Sequence, residues 1–514
     1  MRRVDPLHIH IDNPQQVPAT LFAREDVSIE LGGVAQLLEF ITLQDTVHRI
    51  ADAERAGRCA PFWGEQGPGE LERVVLTPDF HKGGGIPVGT VAKTRGFIVP
   101  QAVGGDVCCG MRLLVTDLRR ADIEPVMDEL EGILRGLFFE GRRQIPMSPV
   151  QREAMLREGL SGLLATSAAN AGSGLWRYYN RRAQANDLAR VHMQGSLPSE
   201  GVFAFSDYIR ASGAQDGRDT QIGSVGGGNH FVEIQVVDDL LDGGTAHAWG
   251  LEPDQVTIMA HSGSVGLGHT VGTHFRDRAR AIYPTALKRP EHGFDLLPTH
   301  GPHAEEARAY LDAMHNAANF GFANRLFLGL MAIQGLSEAL GRCVESRLIY
   351  DAPHNLIWEP APGEPPSYIH RKGACPAPGP EVEQAESPFR YTGHPVIIPG
   401  SMGSASYLLA GRGHVGSLCS ACHGAGRHLS RGRARNVDEA TYHQALAPLR
   451  VVTSIDPQAH QLRGRRDILA RYHARLMEEA PYAYKPITPV VQTVEEAGIA
   501  SRVARLWPLM TLKG

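Results

Sequence analysis

The sequence predicts a mixed α/β fold of the α+β kind, with central β-sheets, in one large domain spanning residues 1–514. Three observations carry this. Short β-branched runs bounded by Gly and Pro recur along the chain. Segments with a 3.6-residue apolar period lie between them. The residues able to do chemistry are scattered from Asp106 to Lys513, and they can converge only if the chain folds as one unit. The strand signals fall at Arg73–Thr77, Ile86–Ala92, Gly96–Val99, Arg112–Asp117, Phe231–Val237, Val256–Ala260 and Pro395–Ile398. Glu124–Phe138 places Met127, Leu130, Leu134 and Leu137 on one helical face. Ala304–Arg342 reads as two helices broken near Gly321, and Leu462–Glu479 and Val494–Leu506 read as C-terminal helices. Two stretches, 145–199 and the Pro/Gly-rich 361–388, read as surface excursions.

Composition excludes several classes. At 42% hydrophobic and 21% charged, the chain can bury a core and is not disordered. No run approaches the roughly 18 apolar residues of a membrane span, and Met1–Asn13 lacks the apolar core of a signal peptide, so a cytoplasmic location without a membrane partner is expected. Seven cysteines form an odd, sparse set suited to free thiols or metal ligands rather than a disulfide framework. A net charge of −5 gives no global sign of nucleic-acid binding, so any RNA site must be a local patch. Only six of the 51 basic residues are lysines, at 82, 93, 288, 372, 485 and 513. Where Arg serves as well as Lys this chain uses Arg, so the remaining lysines point to places that need a compact ammonium.

The chemical motifs lie at the ends of the strand signals. Gly104-Gly105-Asp106-Val107-Cys108-Cys109-Gly110 is a turn on which a carboxylate and a thiolate, three residues apart, can reach one metal. The Cys pair also reads as plain packing. Gly223–Glu233 is a glycine run emptying into Asn229-His230; its free N–H groups can form an anion nest, yet it is neither a Walker A loop nor a dinucleotide fingerprint. Apolar runs deliver His261 into Ser262-Gly263-Ser264 and His354 into Asn355. Each such His alone reads as a hydrogen-bonded core residue. Three of them beside an Asp-x-x-Cys favour a metal site for ions such as Mn²⁺ or Zn²⁺, and five donors suit two ions sharing the thiolate. Small residues surround His423, leaving room for a bulky covalent adduct on its imidazole, although a Gly-rich structural turn fits the same segment.

Taken as a set, these segments resemble the RtcB family of RNA ligases, in order from about Pro78 to Lys513-Gly514. The matching motifs are Pro78-Asp79-x-His81, Asp106-x-x-Cys109-Gly110-Met111, Gly228-Asn229-His230-Phe231-x-Glu233, His261-Ser262-Gly263-Ser264, His354-Asn355, His370-Arg371-Lys372-Gly373-Ala374, Gly400-Ser401-Met402-Gly403 and His423-Gly424-Ala425-Gly426-Arg427. The resemblance implies an RtcB-like fold with a metal-containing cleft. It also implies a GTP-dependent ligase that joins an RNA 3′-phosphate or 2′,3′-cyclic phosphate end to a 5′-hydroxyl end through a guanylylated His423, in tRNA splicing or RNA repair. Two Mn²⁺ ions would sit on Asp106, Cys109, His230, His261 and His354, with Cys109 as the bridge. GTP would be held by Asn229, Glu233, His354, Asn355, Ser401, Met402, Ser406, His423, Gly424, Ala425, Gly426, Tyr484 and Lys513. Lys372, Arg427 and Arg431 would contact RNA phosphates. The implied partners are RNAs with those ends, tRNA halves among them, and an archease-type activator.

The chain departs from the family pattern at Val265, where the family usually has Arg, at Cys108 in place of Gly, and at Cys375 in place of Thr. Val265 removes a charge expected near the RNA. Two other readings therefore stand beside the ligase: a paralogue that caps RNA 3′-phosphate ends without efficient sealing, and a non-catalytic RNA-binding scaffold. A complete set of five donors and His423 argues against the scaffold.

Overall fold

Five of the seven strand signals fall within strands, Ile86–Ala92 overlaps the strand Val88–Arg95 and Gly96–Val99 brackets the two-residue strand Phe97–Ile98; most of these strands belong to two large sheets, so the fold is mixed α/β. The computed structural model of the chain describes residues 1–210, 221–291, 293–360, 366–447 and 449–514. One sheet has seven strands, ordered Arg2–Arg3, His8–His10, Ala19–Phe22, Glu70–His81, Val88–Arg95, Ser367–Lys372 and Asn355–Trp358. The other has eight. Its main path runs Ser346–Pro353, Gly110–Arg119, Gln255–Ser262, Phe231–Leu240, Ala500–Leu512, Ser406–Gly411 and Pro395–Ile398, with Arg450–Val452 pairing in parallel on Ala500–Leu512. A small pair, Ala374–Pro376 with Ser420–Cys422, delivers the chain to His423.

The segment Ala304–Leu340 is one uninterrupted helix of 37 residues, not two broken at Gly321. It is buried on every side along its middle, which explains why no single apolar stripe marks it. Gly321 is there for clearance: a Cβ at that position would lie 3.1 Å from the Cβ of Cys108. Cys108 is itself fully buried at φ 58° and has no room to retreat. Gly321→Val is therefore expected to lower the unfolding free energy by about 2 kcal/mol through overpacking. An unchanged denaturation midpoint would refute that reading of the notch.

Three further expectations need correction. Val494–Leu506 is not one helix: a helix covers Ile487–Glu496 and a strand covers Ala500–Leu512. Bulges at Arg505/Leu506 and Pro508/Met510 disrupt the alternation that would have marked it. Residues 145–199 are not a loose excursion. The helix Pro149–Thr166 packs on the long helix, and Met155, Leu156, Leu160 and Trp176 join the same core. Asn316 and Asn319 of the long helix hold this layer by side-chain bonds to Leu156, Leu197 and Phe203 backbone. Within 361–388, residues 361–365 lie outside the described residues, but Ser367–Lys372 is a strand inside the seven-stranded sheet and Ala374–Pro376 a strand of the small pair. No helix among the described residues is long and apolar enough to cross a membrane.

Candidate active site and metal centre

Four neighbouring strands of the eight-stranded sheet bring the predicted ligands to one end. Antiparallel register sets Gly110 opposite both Ser262 and Pro353, and His261 opposite both Met111 and Phe231. Cys109 therefore precedes one strand, His354 follows the next, His261 ends a third and His230 precedes a fourth, all at the same edge. The His354 N–H donates to the Cys109 carbonyl (2.7 Å), fixing the two loops together.

The Cys109 Sγ lies 3.2 Å from both His230 Nε2 and His261 Nε2, and His261 Nε2 lies 3.4 Å from His354 Nε2. Among the described residues two donor triads form, Cys109/His261/His354 and Asp106/Cys109/His230, each with its ligand atoms within 4.8 Å of one another. Cys109 belongs to both. The tautomers follow from the second ring nitrogens: His230 Nδ1 donates to the Val225 carbonyl (3.0 Å) and His261 Nδ1 to the Asn229 carbonyl (3.1 Å). Their Nε2 lone pairs thus face inward, as in metal-ligating histidines.

This donor set fits a cation. Asp106 Oδ2 sits 2.7 Å from His230 Nε2, two lone-pair atoms that a positive ion would reconcile, and Asp106 Oδ1 is buried without a hydrogen-bond partner. Burial holds His261 and His354 well below the usual imidazole range, reinforced by neighbouring histidines, so both are neutral imidazoles with the charge state a metal ligand needs. Burial, with Asp106 adding to it, pushes the Cys109 thiol well up, and only a bound cation would hold it as thiolate. One thiol, three imidazoles and one carboxylate suit borderline divalent ions.

Beneath the cluster, the buried Arg325 of the long helix pairs with Asp351 (2.8 Å) and donates to the Ser262 carbonyl (3.0 Å) and that of Cys108. Arg112 shares Asp351 at 3.1 Å. Asn324 ties the Gly223-Ser224 turn to Ser262. The long helix is therefore the floor that carries two of the site's loops.

His423 stands beside the cluster, its ring centroid 4.6 Å from that of His354. Its Nδ1 donates to the carboxylate of Asp79 (2.7 Å), which also accepts the His423 backbone N–H (3.2 Å). Burial alone would raise the Asp79 carboxyl; the hydrogen bond from His423, helped by that from Thr77, holds it below the usual carboxylate range. With Nδ1–H committed to a buried carboxylate, the Nε2 lone pair is left as a nucleophile or base. A cavity of about 320 Å³ opens in front of it, lined by Asp106, Cys109, His261, His354 and His423 together with glycines 83, 84, 373, 400, 424 and 426.

A model of the family described as tRNA-splicing ligase RtcB matches residues 65–514. The chain belongs to the RtcB family. It is 35% identical to the RNA-splicing ligase RtcB of Mycobacterium tuberculosis over 465 residues, covering 87% of this chain and 98% of that one. It is 32% identical to the tRNA-splicing ligase RtcB of Thermococcus kodakarensis over 551 aligned positions, covering 100% and 99% of the two chains. The tRNA-splicing ligase RtcB of Archaeoglobus fulgidus matches at 32% over 87% of this chain and 89% of its own.

In this RtcB-family chain most residues singled out from sequence line the cavity in front of His423, including Asn229, Asn355, Lys372, Ser401, Met402, Gly424, Ala425, Gly426, Arg427, Arg431, Tyr484 and Lys513. Three do not. His230 faces the cluster from behind. Glu233 is buried, accepting from Thr511 (2.6 Å) and Gln235 (2.8 Å), and burial raises it to about 7. Ser406 lies under the 400–404 turn, accepting the Gly400 N–H (3.2 Å) and Gln235 (3.0 Å). Of the three residues expected at RNA phosphates, Lys372 is bonded to backbone carbonyls, Arg427 is paired with Glu479 at 2.6 Å, and Arg431, its side chain 55% exposed, lies 3.5 Å from Glu478 and 3.6 Å from Glu479.

The lysines have a different part in this RtcB-family site. Lys372 Nζ bonds the carbonyls of Gly84 and Ile86; Lys485 Nζ those of Pro78 (3.1 Å) and Phe80 (2.8 Å); Lys513 Nζ those of Gly228 (2.7 Å) and His230 (3.1 Å). Each clamps alternate carbonyls of one loop, and burial lowers all three to about 8. The Lys485 clamp holds the segment that carries Asp79. Sequence reading gave Asp79, His81, Lys485 and Glu479 no role. Asp79 was visible in the Pro78-Asp79-x-His81 motif, but Glu479, at the end of a helix, carried no signal.

Proposed function

We propose that this RtcB-family chain is an RNA ligase that uses GTP and Mn²⁺ to join an RNA 3′-phosphate end, or a 2′,3′-cyclic phosphate end once opened, to a 5′-hydroxyl end. The observation that carries the reading is the buried Asp79–His423 pair, which turns a lone imidazole nitrogen into the cavity beside the donor triads. A neutral imidazole is nucleophilic near pH 7, unlike a lysine amine with a pKa of about 10.4.

In the proposed chemistry His423 Nε2 attacks the α-phosphorus of GTP, the N–P bond forms and pyrophosphate leaves. GMP then passes to the RNA 3′-phosphate, and the 5′-hydroxyl displaces it. Asp79 keeps the Nδ1 proton in place and balances the charge the ring gains. Two Mn²⁺ on Asp106, Cys109, His230, His261 and His354 would neutralise the triphosphate and its leaving group. The glycines opposite His423 leave space for the adduct, Tyr484 and Lys513 border the guanosine, and Arg431 meets the RNA backbone. The substrate class includes tRNA halves, an archease-type protein is the expected activator, residues 1–514 act as one catalytic unit, and the cytoplasm is the expected compartment.

The test is incubation with Mn²⁺ and GTP labelled on the α-phosphate, followed by RNA with defined ends. Label should join wild type and not His423→Ala, and be discharged by RNA bearing a 3′-phosphate or 2′,3′-cyclic phosphate end but not by RNA ending in a 3′-hydroxyl. Label retained by His423→Ala would sink the assignment.

One observation keeps the non-sealing paralogue in view. Val265 opens the helix Val265–Ala281 at φ 50°, a strained conformation for a β-branched residue, where the family usually places Arg. If the missing charge matters, Val265→Arg is expected to speed sealing without changing GMP transfer, and to steepen the salt dependence of RNA binding by about 0.7 unit. Equal sealing by both proteins would make Val265 a neutral variation.

A further inference from the structure

We infer that a second cavity beside the proposed ligase site is a nucleotide subsite for one of the RNA ends, an assignment that rests on the ligase reading. This cavity, of about 570 Å³, shares Arg431, Glu479 and Lys513 with the first, and it is also lined by Gly228, whose carbonyl Lys513 clamps. Its size falls in the range of roughly 300–1,000 Å³ typical of small-ligand sites. The two cavities therefore adjoin at Arg431, Glu479 and Lys513, and a ligand extending from His423 past Arg431 would reach the second.

The lining matches a base and its phosphate rather than a purely apolar or purely ionic group. Tyr472, Leu476 and Ile455 give it an aromatic and aliphatic wall, Thr453 and Ser454 offer hydroxyls, and Gly227 leaves open backbone opposite, with nothing within 4 Å of where its Cβ would stand. Arg431, Arg435 and Arg475 form the cationic side. Glu478 and Glu479 offset the first two: Arg435 meets Glu478 at 2.6 Å, and Arg431 lies 3.5 Å from Glu478 and 3.6 Å from Glu479. Among the described residues Arg475 has no ion-pair partner, so its charge is available to a phosphate. Stacking on an aromatic wall with an arginine beside it is sequence-tolerant recognition, as an enzyme acting on varied RNA ends requires.

The experiment compares wild type with Ser454→Trp, which fills the cavity from its exposed rim, and with Arg475→Ala. RNA strands carry either a natural or an abasic terminal nucleotide, placed at the 3′-phosphate end in one arm and at the 5′-hydroxyl end in the other. Fluorescence anisotropy reads binding without turnover, and sealing and GMP transfer to His423 are measured alongside. In wild type, abasic substitution in one arm should weaken binding about tenfold, the scale of one base stack, and the responsive arm names the strand. Ser454→Trp should bind natural RNA about tenfold less tightly and lose the discrimination, with GMP transfer unaltered. Arg475→Ala should flatten the salt dependence by about 0.7 unit. If neither abasic strand binds more weakly, or Ser454→Trp discriminates as wild type does, the cavity is not a base subsite. A wild type that neither takes up GMP nor seals would defeat the ligase reading instead, while the binding comparison still decides the cavity.

Discussion

Asp79→Asn is expected to slow GMP transfer to His423 by about 10³–10⁴-fold with the fold retained, the scale seen when a buried carboxylate behind a catalytic histidine becomes an amide. The carboxylate accepts both the Nδ1–H and the backbone N–H of His423. An amide in its place can turn its NH₂ toward Nδ1. The ring proton would then move to Nε2, and the lone pair facing the cavity would be lost. Single-turnover uptake of label from GTP measures the effect, and circular dichroism with a melting curve checks the fold. A loss below tenfold would mean that Asp79 only fills space, and His423 would need another source of orientation.

Cys109→Ala is expected to abolish GMP uptake and to weaken Mn²⁺ binding by more than about a hundredfold, beyond what removal of a residue behind a ligand usually costs. The reason is that Cys109 belongs to both donor triads, so one substitution degrades both. The metal-free protein should melt close to wild type, since the turn is held by backbone bonds such as that from the His354 N–H to the Cys109 carbonyl. Calorimetric titration with Mn²⁺ gives the affinity. Tight binding of two ions by Cys109→Ala would remove the shared-ligand assignment, whatever the activity.

The donor residues were legible only as a set: one His at the end of an apolar strand reads as a hydrogen-bonded core residue, whereas three of them beside an Asp-x-x-Cys point to a metal site. Antiparallel register then did the rest, since residues 230, 261 and 354 and Cys109 all flank strands that lie side by side. The helix–strand pattern was legible where alternation or helical period ran undisturbed, as at Pro395–Ile398. It failed where tertiary contacts set the residue choice. Gly321 looked like a breaker because sequence does not reveal Cys108 packed against it, and Ala500–Leu512 looked helical because two bulges scramble its inward and outward positions. The strands Arg2–Arg3 and His8–His10 are too short to carry any period. Glu233 and Ser406 lie beneath the cavity rather than on its lining, a distinction that depends on side-chain direction in the assembled sheet.

The three lysine clamps make the molecule report on its own opening. Each ammonium is buried against the carbonyls it clamps and is reachable only when its loop parts from it. An amine-directed reagent should mark Lys288, whose side chain is 84% exposed, at once. Lys372, Lys485 and Lys513 should be marked at the frequency with which the site breathes. Because so few lysines are present, mass spectrometry can follow each separately and tell whether the loops at Pro78, Gly84 and Gly228 open singly or as one cooperative unit.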